Sequence, residues 1–178
     1  QEGREVMCGI IGAASSRSVG KILVNGLKKM EYRGYDSAGL VLNNESEAIQ
    51  LKTLGKVAKL EDLMIEKKPS AQSGIAHTRW ATHGEPSQKN AHPHASNGTI
   101  YIVHNGIIEN HDELRERLSN DGYKIESETD SELIAHLIYS NKENGKSTLE
   151  ALIETTKELH GAYSIAVIDT EQKGKIFA

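Results

Sequence analysis

Met7-Cys8-Gly9-Ile10-Ile11-Gly12 carries the only cysteine of the chain, directly after a methionine and directly before a short apolar run. If translation starts at Met7 and that methionine is removed, Cys8 holds a thiol and a free α-amine on one residue. The α-amine titrates at about 7.7 to 8.0 and the thiol at about 8.5 in unperturbed peptides, so an uncharged amine can take the thiol proton near neutrality without a histidine. A lone cysteine is otherwise a small buried hydrophobe, and both readings stand at this point. Residues 1–7 are polar and charged and lack the periodicity that begins at Cys8; they read as an expression scar or a removable leader.

Working outward, residues 8–14 form a short apolar strand. Ser18 then precedes Val19, Ile22, Leu23, Leu27 and Met30, whose spacing of three and four puts them on one helical face. Tyr32-Arg33-Gly34-Tyr35-Asp36-Ser37 breaks that helix with turn chemistry. Residues 38–42 and 48–54 read as a hairpin about Asn43-Asn44. A shorter helix carries Val57, Leu60, Leu63 and Met64 and stops at Lys67-Lys68-Pro69. Residues 73–80 and 99–104 read as strands. Between them, residues 81–98 form a long loop of turn formers and histidines, of the kind that carries function in compact domains. Asn110 with Glu113 resembles a capping box for the next helix. Thr129-Asp130-Ser131 and Thr148 open two more, Gly161 stops the last, and residues 162–169 form a strand. Residues 175–178 begin another that has no room to finish. Hairpin-linked strands followed by helix pairs argue for an α+β fold of antiparallel sheets covered by helices, not a parallel doubly wound sheet.

Composition narrows the function. At 178 residues the chain is one domain, long enough to bury roughly two thirds of its unfolded surface. A single cysteine permits no internal disulfide and suits a reducing cytosol. A net charge of −4 and a pI near 6.1 leave no basic stripe for nucleic acid, and there is no apolar run of transmembrane length and no secretory leader. A soluble, cytoplasmic protein that handles a small molecule is the expectation.

Chemistry gathers in a few strings. In His77-Thr78-Arg79-Trp80-Ala81-Thr82-His83 a strand runs out into the long loop, and an arginine fork there can grip a carboxylate through two parallel hydrogen bonds; the alternative is an exposed strand-end arginine. His104-Asn105-Gly106 ends a strand, and Asn-Gly is most simply a tight turn. It can also form an oxyanion hole from the Asn105 amide and the Gly106 N–H. Asp130 is either a first-turn acid facing the helix dipole or a carboxylate for an ammonium group. His92-Pro93-His94, with His77 and His83, makes only a weak metal signal, because no carboxylate completes a recognised spacing. No glycine string forms a phosphate cradle.

Together, and in this order, Cys8-Gly9-Ile10-Ile11-Gly12, Glu31-Tyr32-Arg33-Gly34-Tyr35-Asp36-Ser37-Ala38-Gly39, Gly74-Ile75-Ala76-His77-Thr78-Arg79-Trp80-Ala81-Thr82-His83-Gly84, Asn90-Ala91-His92-Pro93-His94, Val103-His104-Asn105-Gly106-Ile107-Ile108-Glu109-Asn110 and Glu128-Thr129-Asp130 resemble the class II glutamine amidotransferases. Most narrowly, they resemble the glutaminase domains of the glucosamine-6-phosphate synthase family, over essentially all of residues 8–178. The resemblance implies the N-terminal nucleophile hydrolase fold, an αββα four-layer sandwich of two antiparallel sheets. It implies that Cys8 attacks the side-chain amide of L-glutamine, giving a thioester and ammonia, with Asn105 and Gly106 as the oxyanion hole. Arg79 then clamps the substrate α-carboxylate and Asp130 its α-ammonium, Thr82 and His83 line the pocket, Trp80 gates ammonia, and Arg33 supports the nucleophile loop. No cofactor and no metal are implied. Fructose 6-phosphate enters only through an isomerase domain absent from this chain, and the parent enzyme is expected to be a homo-oligomer. Two departures stand out: residues 1–7 precede the cysteine, and the domain is expected to be truncated at its C-terminal end. The alternative reading is an inert glutamine-binding fragment.

Overall fold

The computed structural model describes residues 8–80 and 84–178, except the side chain of Arg33. Seven strands and five α-helices follow one another as β1 (Gly9–Ala14), α1 (Gly20–Met30), β2 (Ser37–Asn43), β3 (Ala48–Leu54), α2 (Val57–Lys67), β4 (Ser73–Arg79), β5 (His94–Ser96), β6 (Ile100–Gly106), α3 (His111–Asn120), α4 (Ser131–Glu143), α5 (Thr148–Glu158) and β7 (Tyr163–Asp169) among the described residues; a 3₁₀ turn, Glu31–Arg33, follows α1. The strands make two antiparallel sheets, β1-β4-β2-β3 and β5-β6-β7.

Strand alternation sorts the apolar residues into three packed layers. On β2, Leu40 and Leu42 face α1 and α2, where they join Leu23, Leu27, Val57 and Leu60; Val41 between them faces the other way. On β6, Ile100 and Ile102 pack under α4 and α5, whereas Val103 meets Val41, Ile75 and Ile168 between the sheets. Helix layer, sheet, sheet, helix layer is the αββα sandwich that the sequence pattern and the resemblance imply.

Several local expectations are revised. The long loop contains a short strand, β5, which pairs with β6 through His94↔Ile102 and Ser96↔Ile100. Three residues are too few to show a period, so pairing alone reveals them. Asn105 and Gly106 are not a tight turn: both lie inside β6, opposite Ser164 and Tyr163. Asn110 flanks α3 without capping it. Its side chain instead donates to Glu158 O (2.9 Å) and accepts from His160 N (2.9 Å), tying α3 to the end of α5. The capping box is at Ser147 and Glu150, at the start of α5. The final residues reach only a single bridge, Val167↔Phe177. No described helix is long and apolar enough to cross a membrane.

Candidate active site

Parity explains why the chemistry meets at one end of the sandwich. On β4, Ile75 faces the inter-sheet core, so His77 and Arg79, two and four residues on, face the same side. On β6, Asn105 shares the face of Val103, and His104 shares the opposite face with Ile102. Cys8 lies two residues before Ile10, which also packs between the sheets. Register then sets the level: Ile10 lies opposite His77 and Gly9 opposite Thr78, so Cys8 comes level with the end of β4. The result is a cleft of about 610 Å³ lined by Cys8, Arg79, Trp80, Asn105, Gly106 and Asp130, among others.

Cys8 is partly buried. Its Sγ accepts a hydrogen bond from the Trp80 N–H (3.1 Å), and the backbone N–H of Gly9 donates to Thr78 Oγ1 (3.1 Å). Burial pushes the Cys8 thiol up, the Asp36 charge pushes the same way, and the Trp80 N–H and the Arg79 charge oppose them. The resting group is therefore a thiol, and a nucleophile here has to lose its proton as it attacks.

Asn105 spans the cleft. Its Nδ2 donates to Cys8 O at 2.9 Å, while its Oδ1 lies 2.7 Å from His77 Nε2, which is also 3.0 Å from His104 O. Gly106 follows at φ +119°, a left-handed conformation, and an added Cβ would collide with Ala162 O. Only glycine lets the strand end press against the start of β7 while its neighbour reaches the Cys8 carbonyl.

Arg79 is 3% exposed. Its Nη2 donates to Gly84 O (3.0 Å), and Nη1 lies 3.4 Å from Asp36 Oδ1 and 3.5 Å from Glu85 O. The guanidinium is held by the Asp36 carboxylate and the carbonyls of Gly84 and Glu85, and Arg79 lines the cleft. Asp130 precedes α4. Its Oδ2 accepts the Ile108 N–H (2.8 Å), Oδ1 accepts from Ser131 Oγ (3.4 Å), and His104 Nδ1, itself 2.7 Å from Ser131 Oγ, stands 4.0 Å away. One buried cation and one buried anion thus line the same cleft as the thiol, a charge pattern suited to an amino acid's two ends.

Trp80 is 45% exposed, and its indole rests on Gly34, whose missing Cβ would lie 3.2 Å from Cζ3. Thr82 and His83 lie outside the described residues, as does the Arg33 side chain. Buried imidazoles surround the cleft floor. His77 and His92 pack with ring centroids 4.0 Å apart and their planes tilted by 32°, and His92 meets His94 edge-on at 4.7 Å. Burial holds His77 down to about 3 and pushes His92 and His94 well below the usual histidine range, so all are neutral. Among the described residues, no group of three or more His, Cys, Asp or Glu side chains is arranged to hold a metal ion. In the sequence His77 stands out only through its motif and as part of a weak histidine metal signal. Its signal was there in the parity of β4, which puts residues 77 and 79 on one face.

The chain is similar to known proteins at two levels. A model of the glutamine amidotransferase domain matches residues 77–178. The glutamine–fructose-6-phosphate aminotransferase (isomerizing) of Vibrio parahaemolyticus is 52% identical over 171 residues, 96% of this chain and 28% of that protein. The protein of the same name from Haemophilus influenzae is 51% identical over 173 residues, 97% and 28% respectively. The chain thus spans little more than a quarter of the length of these curated relatives. Among solved structures, a glutamine phosphoribosylpyrophosphate amidotransferase from B. subtilis, complexed with ADP and GMP, superposes with a TM-score of 0.77 at 24% identity over 90% of this chain and 35% of its own. An allosteric regulatory enzyme of purine biosynthesis does so with 0.78 at 25%, with the same shares covered.

Proposed function

The chain belongs to the glutamine amidotransferase domain family, and we propose that it is a glutaminase that releases ammonia from L-glutamine through a thioester on Cys8. The observation that carries this reading is the Asn105 amide 2.9 Å from the Cys8 carbonyl, in a cleft whose walls also hold Arg79 and Asp130. Arg79 takes the α-carboxylate and Asp130 the α-ammonium, which directs the side-chain amide towards the thiol. The Cys8 sulfur attacks the amide carbon as the cysteine α-amine accepts the thiol proton. The oxyanion is received by the second Nδ2 hydrogen of Asn105 and the Gly106 N–H. The C–N bond breaks, the nitrogen leaves as ammonia with the transferred proton, and water then hydrolyses the thioester to glutamate and the free thiol. Thr82 and His83 complete the pocket, Arg33 supports the nucleophile loop, and Trp80 gates the path of ammonia. No cofactor takes part.

Residues 1–7 are a leader in this proposal, because a peptide bond to Met7 turns the α-nitrogen into a planar amide without an available lone pair. The complete protein passes its ammonia to fructose 6-phosphate held by a further domain, works as a homo-oligomer in the cytoplasm and makes an amino sugar. The similarity to the two aminotransferases supports fructose 6-phosphate as the acceptor of the ammonia. The test compares the full-length protein starting at Cys8 with the same protein retaining residues 1–7, each given glutamine. Equimolar ammonia and glutamate from the first and neither from the second is the expected result. Equal rates, with mass spectra showing the leader intact, would refute the amine as base; no product from either would leave a glutamine-binding protein.

A further inference from the structure

A carboxamide serves an oxyanion hole in only one of its two orientations. Rotation by half a turn about its last bond exchanges NH₂ for oxygen with little change of shape, and an oxygen facing the developing anion would repel it. Something must fix which end of Asn105 faces Cys8.

We propose that His77 is a positioning residue for this reaction, a neutral imidazole that carries its proton on Nε2 and uses it to hold Asn105 Oδ1, turning the amide nitrogen towards Cys8. The inference rests on the reading of Asn105 as oxyanion donor. Three observations support it independently of one another. First, Cys8 O can only accept, so the end of Asn105 at 2.9 Å from it is the NH₂, and Oδ1 is the end 2.7 Å from His77. Second, the same His77 Nε2 lies 3.0 Å from His104 O, also purely an acceptor, so the proton is required on Nε2 whatever Asn105 does. Third, His77 Nδ1 is buried with no hydrogen-bond partner among the described residues, and none of them draws the proton to that nitrogen.

The surroundings keep the ring in this state. His77 is 1% exposed, and its ring packs at a tilt against His92. Burial disfavours the imidazolium by more than the hydrogen bonds to Asn105 and to the His104 carbonyl favour it, so near neutral pH the ring donates one hydrogen and bears no charge. A neutral donor suits the place: an imidazolium behind Asn105 would lie among Arg79 and other buried histidines, with no carboxylate partner among the described residues. Backbone pairing holds the ring in position. His77 sits mid-ladder, opposite Ile10 on one side and Gly39 on the other, and Gly39 has no side chain to compete for the space that the His92 backbone occupies. Asn105 is thus braced by a side chain from the neighbouring sheet, and the two sheets carry the catalytic geometry jointly.

Glutaminase kinetics on the active full-length protein test the proposal. His77→Phe removes the donor and keeps a planar ring; kcat is expected to fall about 10- to 100-fold with KM for glutamine unchanged, because Arg79 and Asp130 hold the substrate. His77→Gln, whose Nε2 can reach the same place, is expected to recover most of the loss. In an Asn105→Ala background, His77→Phe is expected to cost less than about twofold, since the group it positions is gone. Full kcat in His77→Phe while Asn105→Ala is slow would overturn the proposal, as would losses that add or that His77→Gln does not restore. An imidazole ¹⁵N spectrum of the wild type, which depends neither on activity nor on the folding of a variant, should show His77 neutral with its proton on Nε2. An imidazolium or the Nδ1–H form would also overturn it. A wild type that releases no ammonia sinks the glutaminase assignment instead, and the spectrum still decides the His77 geometry.

Discussion

Replacing Arg79 with lysine separates charge from shape at the proposed carboxylate clamp. Arg79 is 3% exposed, lines the cleft, and its guanidinium reaches Gly84 O, Glu85 O and Asp36 Oδ1 at 3.0, 3.5 and 3.4 Å. A lysine keeps the positive charge beside Asp36 but has a single nitrogen, so it cannot serve the loop carbonyls and a two-pronged carboxylate together. Losing one charge-assisted hydrogen bond to substrate costs about 1.5–3 kcal/mol, which at 1.4 kcal/mol per decade is roughly a 10- to 150-fold rise in KM for glutamine. Because the lysine retains the charge that favours the Cys8 thiolate, kcat is expected to change less than about threefold. Steady-state ammonia release over a range of glutamine concentrations measures both constants, and a thermal melt confirms that the variant is folded. An unchanged KM would refute the clamp; a fall in kcat at constant KM would show instead that Arg79 acts on the thiol.

Cys8→Ala is expected to abolish ammonia release and leave glutamine affinity within about threefold by calorimetry, since the charged partners lie elsewhere; loss of binding would place Cys8 in substrate recognition. Asn105→Ala should lower kcat about 100- to 1000-fold with little change in KM, as loss of one oxyanion donor does, and a pure KM defect would contradict that role. At Gly39 an added methyl would overlap His92 O and come 2.9 Å from Leu51 O, both backbone atoms, so Gly39→Ala is expected to cost about 1–3 kcal/mol in urea unfolding; an unchanged midpoint would mean that the His92 segment yields freely. Acid stability tests the buried histidines. His77 is neutral in the folded state down to about pH 3 but protonates at about 6.5 when unfolded, so between these values the unfolded state binds more protons and stability falls as pH falls. His77→Gln should therefore lose about 2 kcal/mol less than the wild type between pH 7 and pH 5, and identical losses would mean that His77 is already charged in the fold.

Much of this was legible in the chain. The face of α1 formed by Leu23 and Leu27, the alternation through Leu40, Val41 and Leu42, and the stop at Lys68, which adopts φ +45°, follow from local spacing and turn chemistry. What escaped depends on partners far along the sequence. His94-Ala95-Ser96 becomes a strand because β6 offers it a ladder edge. Asn105-Gly106 carries a turn signal yet stays extended because Ser164 and Tyr163 pair with it, and that pairing is also what aims Asn105 at Cys8. Asn110 reads as a cap, but Glu158 and His160 compete successfully for its amide. The strings around Cys8, Arg79, Asn105 and Asp130 pointed to their chemistry through resemblance. The parity of β1, β4 and β6 supplies the physical reason that they converge.

The most direct test of the central claim is acid quenching of the active protein during turnover with glutamine, followed by peptide mass spectrometry of the segment containing Cys8. A γ-glutamyl group carried by the Cys8 sulfur, appearing within the first turnover and absent from Cys8→Ala, is the predicted result. Ammonia released at an undiminished rate by Cys8→Ala, or turnover in which Cys8 is never acylated, would contradict it.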